Sequence, residues 1–374
     1  MSNDFGVEYH LWSYANEPGE LLDRLIGEVG IDHVTVPVVT GPLEHFRIAP
    51  PSPPNLFTTA GGWHFPPAAE AYRGCAVRPR TARWFGKRDV LARVATIVAK
   101  HRVRLVCRLD VRSCRPLLEH EPHLSTRNAW GDAAPGAGLC VLHPDTRELL
   151  RATVRDLRRY EPAGFQLVDW APDLAVDRGL PRPLSHTPVA QALLDLCFCP
   201  ACRQAALAAG VDPDQAARSV RQHLLDALRE APDATRERLK QDEVLAGYVA
   251  ARRTAAAAWQ RELIARHADC RWYHVCDAPT PNLPWDREPP AGDTACTRIR
   301  RGLVGDTAVS GAPGPAEGRI LPAWRPVVTR PDRLVRLVAE AAGRVAGPIE
   351  FAGIEEAPPD VVDWLRQALR YARR

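Results

Sequence analysis

Three cysteines within six residues, Cys197-Phe198-Cys199-Pro200-Ala201-Cys202, are the feature of this 374-residue chain hardest to attribute to packing. Thiolates spaced C-x-C-x-x-C suit a soft, tetrahedral cation, and zinc is the usual one. A closed site needs a fourth ligand. Cys140, in Gly138-Leu139-Cys140-Val141-Leu142-His143-Pro144, is the favoured upstream thiol, with Cys107, Cys114 or a histidine as alternatives. Four thiolates leave no open position for water, so the expected Zn2+ is structural and not catalytic. Ten cysteines without a secretion signal also argue for metal binding or free thiols over a disulfide framework.

A second chemistry lies between those cysteines. Gly164 to Trp170 reads as a strand ending in the carboxylate of Asp169. Strand ends are where parallel barrels carry their reacting groups. Cleavage of a glycosidic bond needs two carboxyl groups flanking it. Asp277 and Glu355, each closing a later strand, are the expected partners, and Asp110 and Glu8 are further strand-end acids. The bland reading of Asp169 is a helix cap or an ion pair with one of the many arginines. Around these acids, Trp12, Trp130, Trp170 and Trp324 could stack on sugar rings. His10, Arg108, Asp110, Asn128, His274 and Arg325 could bond hydroxyls or a carboxylate. Each alone is more often packing or a surface pair; as a set near strand ends they suggest a saccharide site.

Other chemistries fit less well. There is no G-x-S-x-G elbow, H-E-x-x-H or P-loop. His274, Asp277, Asp306 and Glu355 could just supply the ligands of a divalent-metal sugar isomerase or epimerase, but the cysteines are no part of that pattern. A barrel that binds a saccharide without cleaving it is the remaining alternative.

Alternating apolar and polar residues predict the strands that must position these groups. They are Phe5–Trp12, Asp32–Val39, Arg102–Val111, Gly164–Trp170, Cys270–Ala278, Asp293–Arg300, Arg319–Val328 and Pro348–Glu355. Helical periodicity fills Pro18–Val29, Lys87–His101, His143–Tyr160, Pro331–Val345 and Pro358–Tyr371. Strand and helix alternate throughout, which predicts a parallel sheet. Eight strands over this length favour a single α/β domain, residues 1–374, folded as a (β/α)8 TIM barrel. Long loops follow the second strand (to about Phe85) and the third. A helical insertion, residues 171–268, carries the C-x-C-x-x-C motif.

Composition narrows the partners. The net charge is +4, and the basic residues are nearly all arginine, since Lys87, Lys100 and Lys240 are the only lysines. Neither suggests a nucleic-acid partner. The opening residues lack the basic and apolar segments of a secretion signal, and no run of eighteen apolar residues exists, so the expectation is a cytoplasmic protein with no membrane span. The expected partner is a small carbohydrate or glycoconjugate. Oligomeric state has no reading in the sequence.

The order of a Cys before a Pro-led helix (Cys140 to Arg147), a strand ending in a carboxylate, and then Cys197-Phe198-Cys199-Pro200-Ala201-Cys202-Arg203 resembles the zinc-binding segment of glycoside hydrolase family 42 β-galactosidases. It resembles more closely a group of bacterial glycosidase-like barrels with the same CFCxxCR signature. The resemblance implies zinc on Cys140, Cys197, Cys199 and Cys202, a barrel fold and a carbohydrate substrate. The family's Asn-Glu pair at the end of strand four is replaced here by Val168-Asp169. Its strand-seven glutamate is missing from Ala323-Trp324-Arg325-Pro326. Fold and metal therefore carry over better than the family's retaining mechanism.

Overall fold

The structure is a computed structural model that describes residues 4–16, 20–48, 55–86, 88–133, 138–168, 188–229, 232–276, 297–301, 317–322 and 329–373. Its strands are β1 (Phe5–Glu8), β2 (His33–Thr40), β3 (Leu43–Arg47), β4 (Asn55–Thr59), β5 (Gly62–Trp63), β6 (Arg104–Leu109), β7 (Gly164–Val168), β8 (Arg271–Cys276), β9 (Thr297–Arg301), β10 (Glu317–Pro322) and β11 (Ile349–Ala352). The parallel strands pair in the order β1, β2, β6, β7, β8, β9, β10, β11, and β11 pairs back onto β1. The parallel sheet therefore curls until its first strand is bonded on both sides.

Side chains alternate between the two faces of the curled sheet. Phe5, Val7, Val34, Val36, Val38, Leu105, Leu109, Phe165, Leu167, Leu321, Ile349 and Phe351 face outward into one large apolar cluster shared with the helices. The residues between them point inward. Val106, Val168, Tyr273, Val275 and Ile320 form a separate inner cluster. Glycine makes room at the floor of the ring: a Cβ on Gly6 would overlap the His33 ring, which takes up that space.

Helices cover the outside. They are α1 (Leu11–Asn16), α2 (Glu20–Arg24), α3 (Val90–Lys100), α4 (Arg115–His120), α5 (Pro144–Leu157), α6 (Pro188–Asp195), α7 (Pro200–Ala208), α8 (Pro213–Arg229), α9 (Pro232–Gln241), α10 (Glu243–Arg266), α11 (Pro331–Arg344) and α12 (Asp360–Ala372). Many begin with Pro, whose missing N–H is not needed in a first turn. Asp89 and Asp242 cap α3 and α10 by accepting from Ala92 and Leu245 N–H. The crossovers after β8 and β9 fall outside the described residues. What stands is a curled parallel sheet with helices after β1, β2, β6, β7, β10 and β11. Among the described residues, no helix is long and apolar enough to cross a membrane.

Two sequence expectations change. The first strand stops at Glu8, and Leu11–Asn16 is helical, so the expected alternation through Trp12 ends early. The loop expected after the second strand contains an antiparallel hairpin of β3 and β4, and β5 adds antiparallel to β2. The insertion has its own apolar cluster, including Leu193, Phe198, Val220, Leu224, Leu245 and Tyr248. The later part of α10, with Ala256, Trp259, Leu263 and Ile264, belongs to the main core instead.

At the floor, Asp4 bonds His33 Nδ1 at 2.9 Å and also pairs with Arg104. Burial works against its charge, but His33 and Arg104 outweigh burial and hold its carboxyl far below the usual range. A depressed folded pKa contributes stability above the unfolded value of about 3.9 that is lost as pH falls through it. Asp4→Asn is expected to destabilise by about 1–2 kcal/mol at pH 7, the lower part of the range for charged hydrogen bonds because water screens this partly exposed group. The gap to wild type should shrink steadily below about pH 4 in urea-unfolding curves.

Candidate functional site

A buried chain of alternating charges runs from inside the ring to its C-terminal mouth. Glu350 on β11 is fully buried. Its Oε2 accepts from Thr35 Oγ1 and Gln166 Nε2, both at 2.6 Å, and its Oε1 pairs with Arg108 Nη2. Arg108 donates from Nε to Gln166 Oε1 at 2.8 Å and from Nη1 to Glu8 Oε2 at 2.6 Å. Glu8 Oε1 stands 3.4 Å from His10 Nε2, and His10 Nδ1 bonds Glu355 Oε2. Glu355 Oε1 also accepts from the backbone N–H of His10 at 3.1 Å. Its Oε2 is 3.7 Å from His45 Nε2, and His45 Nδ1 is 3.3 Å from Glu356 Oε1.

Local folding explains the convergence. Glu8 is the last residue of β1, and the chain turns at once into α1, which sets His10 against Trp12. Glu355 lies in a short 3₁₀ turn, Ile354–Glu356, just past the end of β11. His45 and Phe57 are directly opposed across the β3–β4 hairpin and so share one face. That face lies over the mouth. His45 reaches Glu355, and Phe57 stacks on Trp12 with ring centres 4.6 Å apart.

Burial opposes charge on His10, yet Glu355 and Glu8 outweigh it and raise its pKa to about 9. Burial also opposes charge on Glu355, but His10, His45 and Ser13 hold its carboxyl below the usual range. For His64, burial and the nearby charge of His10 act together and lower the pKa to about 3. Neutral His64 accepts from Trp84 Nε1 at Nδ1, 2.8 Å away, which leaves Nε2–H to face Thr40 Oγ1 at 2.8 Å.

The four cysteines form a second centre. The sulfurs of Cys140, Cys197, Cys199 and Cys202 all lie within 4.8 Å of one another and are buried. Cys140 Sγ is 3.5 Å from Cys202 Sγ and 3.4 Å from Cys199 Sγ. Four sulfurs about 2.3 Å from a central zinc would stand about 3.8 Å apart, so the donor set fits that ion with small adjustment. Backbone N–H groups of Arg127 and Cys199 point at Cys197 Sγ from 3.4 and 3.5 Å. Burial disfavours a thiolate there, but the neighbouring thiols and Arg252 outweigh it and push the Cys197 pKa well down. The cluster joins the loop after β6, where Leu139 N–H bonds Arg112 O at 2.9 Å, to the insertion, where Tyr248 OH bonds Cys197 O at 2.7 Å.

The remaining sequence-predicted residues divide. Asp169, Trp170, Asp277, Trp324 and Arg325, like Asp306, lie outside the described residues. His10 and Glu355 meet at the mouth. Trp12 is 1% exposed and sandwiched between His10 (4.4 Å) and Phe57 (4.6 Å), so neither ring face is left for a sugar. All three guanidinium nitrogens of Arg108 are engaged inside the ring, which makes it a counter-ion instead of a substrate donor. Asn128 Oδ1 accepts from Trp130 and Asp132 N–H, so it holds its own loop. Asp110 accepts from Ser113 N–H at 3.3 Å. His274 alternates with the inward Tyr273 and Val275 and faces outward like Trp272, which removes it from the expected isomerase-type set. The sequence reading missed His45, His64, Glu350 and Glu356. Two short alternating runs, 43–47 and 55–59, on either side of a Pro-rich stretch of sequence, were the available signal for the hairpin.

No family model and no curated protein matches this chain. Among solved structures it is similar to α-L-fucosidase isoenzyme 2 from Paenibacillus thiaminolyticus, at 13% identity and TM-score 0.48, over 98% of this chain and 49% of that one. It is also similar to a chitobiase from Flavobacterium johnsoniae, at 10% identity and TM-score 0.42, over 99% of this chain and 47% of that one. A β-galactosidase from the psychrophilic Marinomonas ef1 matches at 12% identity and TM-score 0.39, over 92% of this chain and 47% of that one. The chain thus spans about half the length of these three proteins.

Removing one partner of a buried pair strands the other charge. Arg108→Met is expected to lose about 3–5 kcal/mol of unfolding free energy, and Arg108→Met with Glu350→Met to regain only part of it because Glu8 also loses its guanidinium, as read by urea denaturation at pH 7.

Proposed function

We propose that this chain is a glycosidase-like hydrolase acting on a carbohydrate at the mouth of a complete (β/α)8 barrel, with a structural zinc on Cys140, Cys197, Cys199 and Cys202. The observation that carries the reading is the pairing of β7 with β8, with Val168 opposite Val275. Asp169 and Asp277 follow these two strands within the next residue or two of the chain. Carboxyl groups that flank a glycosidic bond stand about 5–10 Å apart. In this reading Asp169 and Asp277, each the next residue of the chain after its strand, are the acid and the base or nucleophile. Glu355, sequestered by two imidazoles, is not the reacting acid. The ionised chain through Glu8, His10 and Glu355 instead sets the potential beside the bond to be cleaved, where positive charge develops in the transition state.

A panel of aryl glycosides and oligosaccharides tests this. Turnover by wild type is expected on at least one sugar, and Asp169→Asn or Asp277→Asn should each lower kcat by about 10²–10⁴. Saccharide binding with no turnover across the panel would replace hydrolysis with the non-cleaving reading.

Zinc at the cysteines would brace the loop after β6 against the insertion and supply no open coordination position. Elemental analysis after mild chelation is expected to find one zinc per chain, with the four thiols shielded from alkylation. Cys199→Ser should release the ion and expose the other three.

A further inference from the structure

We propose that His10, His45 and Glu355 form a binding site for a divalent first-row transition cation at the mouth of the ring, separate from the cysteine cluster. One ligand atom from each falls within a set spanning at most 4.8 Å, and His10 Nδ1 and His45 Nε2 both face Glu355 Oε2. The two imidazole rings lie with centres 4.6 Å apart, inclined at 54°. The side chains arrive from three separate places: the turn after β1, the hairpin strand β3, and the 3₁₀ turn after β11.

Two further observations point to a ligand. His45 is 3% exposed, and its Nε2 is buried with no hydrogen-bond partner while facing Glu355 Oε2 at 3.7 Å. Leaving such a nitrogen unsatisfied is unfavourable, and a cation would satisfy it. The other ring nitrogen of each histidine already faces a carboxylate: His10 Nε2 faces Glu8 Oε1 at 3.4 Å, and His45 Nδ1 faces Glu356 Oε1 at 3.3 Å. Metal-binding histidines are characteristically backed in this way, which fixes the tautomer and leaves the opposite nitrogen as donor. Both remaining nitrogens are directed at the same carboxylate.

Two imidazoles and one carboxylate favour zinc, iron(II), cobalt or manganese over calcium or magnesium, which take oxygen ligands. Three protein ligands also leave positions open for water or a substrate oxygen, unlike the four-sulfur cluster. On loading, the proton between His10 Nδ1 and Glu355 passes to solvent and the cation takes its place.

The test is calorimetric titration of the whole chain with Zn2+ and with Co2+, after the cysteine cluster has been filled with zinc. Binding is read without turnover, so the outcome is independent of whether the chain hydrolyses glycosides. Wild type is expected to take up one further ion per chain, and His45→Ala to take up none. Glu356 is half-exposed, so Glu356→Gln tests the site without emptying the core; it should weaken binding about 10–100-fold. Bound Co2+ should show no sulfur-to-cobalt charge-transfer band. Absence of a further ion in wild type, a sulfur band, or uptake unchanged in Glu356→Gln would overturn the site.

Discussion

A carboxylate inside a ring of strands cannot be left alone. Glu350 is out of reach of water, and isolating a charge there would be worth many kcal/mol against folding. Thr35, Gln166 and Arg108 exist in this structure as its answer. Arg108 also pairs with Glu8, so one guanidinium is shared by two carboxylates and the excess negative charge is carried toward the mouth. From that point each group calls for the next, through His10 to Glu355 and His45. The mouth chemistry is thus the exposed end of an internal electrostatic problem. Until a cation displaces its proton, His10 is held as an imidazolium by a carboxylate on either side of it.

Two pieces outside the ring hold this arrangement in place. The β3–β4 hairpin contributes His45 and Phe57 from one face, closing over Trp12 and Glu355. The cysteine cluster lies on another side, where a loop from β6 and the start of the insertion meet. α10 belongs to both cores, its earlier residues packing in the insertion's cluster and its later ones under the ring. Its 24 residues span about 36 Å, enough to connect the two.

Much of the frame was legible because it is periodic. Val34, Val36 and Val38 alternate as a strand must, and so do Leu105, Cys107 and Leu109. Pro331 and Pro144 announce helices for a local reason. The cysteine spacing is also local, apart from Cys140. The mouth was much less legible because its contacts are not. His10 and Glu355 are 345 positions apart, and nothing in either neighbourhood names the other. Glu350 looked like one polar residue in an apolar strand, and its importance lies in facing inward. The hairpin was hidden by prolines at 50, 51, 53 and 54, which broke the run into two pieces too short to weigh as strands. Arg108 and Trp12 were read as contacts for a sugar by residue type. Their surroundings in the fold give each a different task.

Gly6 has a consequence of its own. The imidazole of His33 lies where any larger side chain at position 6 would need to be, and the same ring holds Asp4 below it and approaches Glu350 above it at 3.9 Å. A single absent methyl group therefore works as a seat. With it, the imidazole sits between the lowest acid and the deepest one; a side chain at position 6 would evict the ring and take that shared neighbour from both.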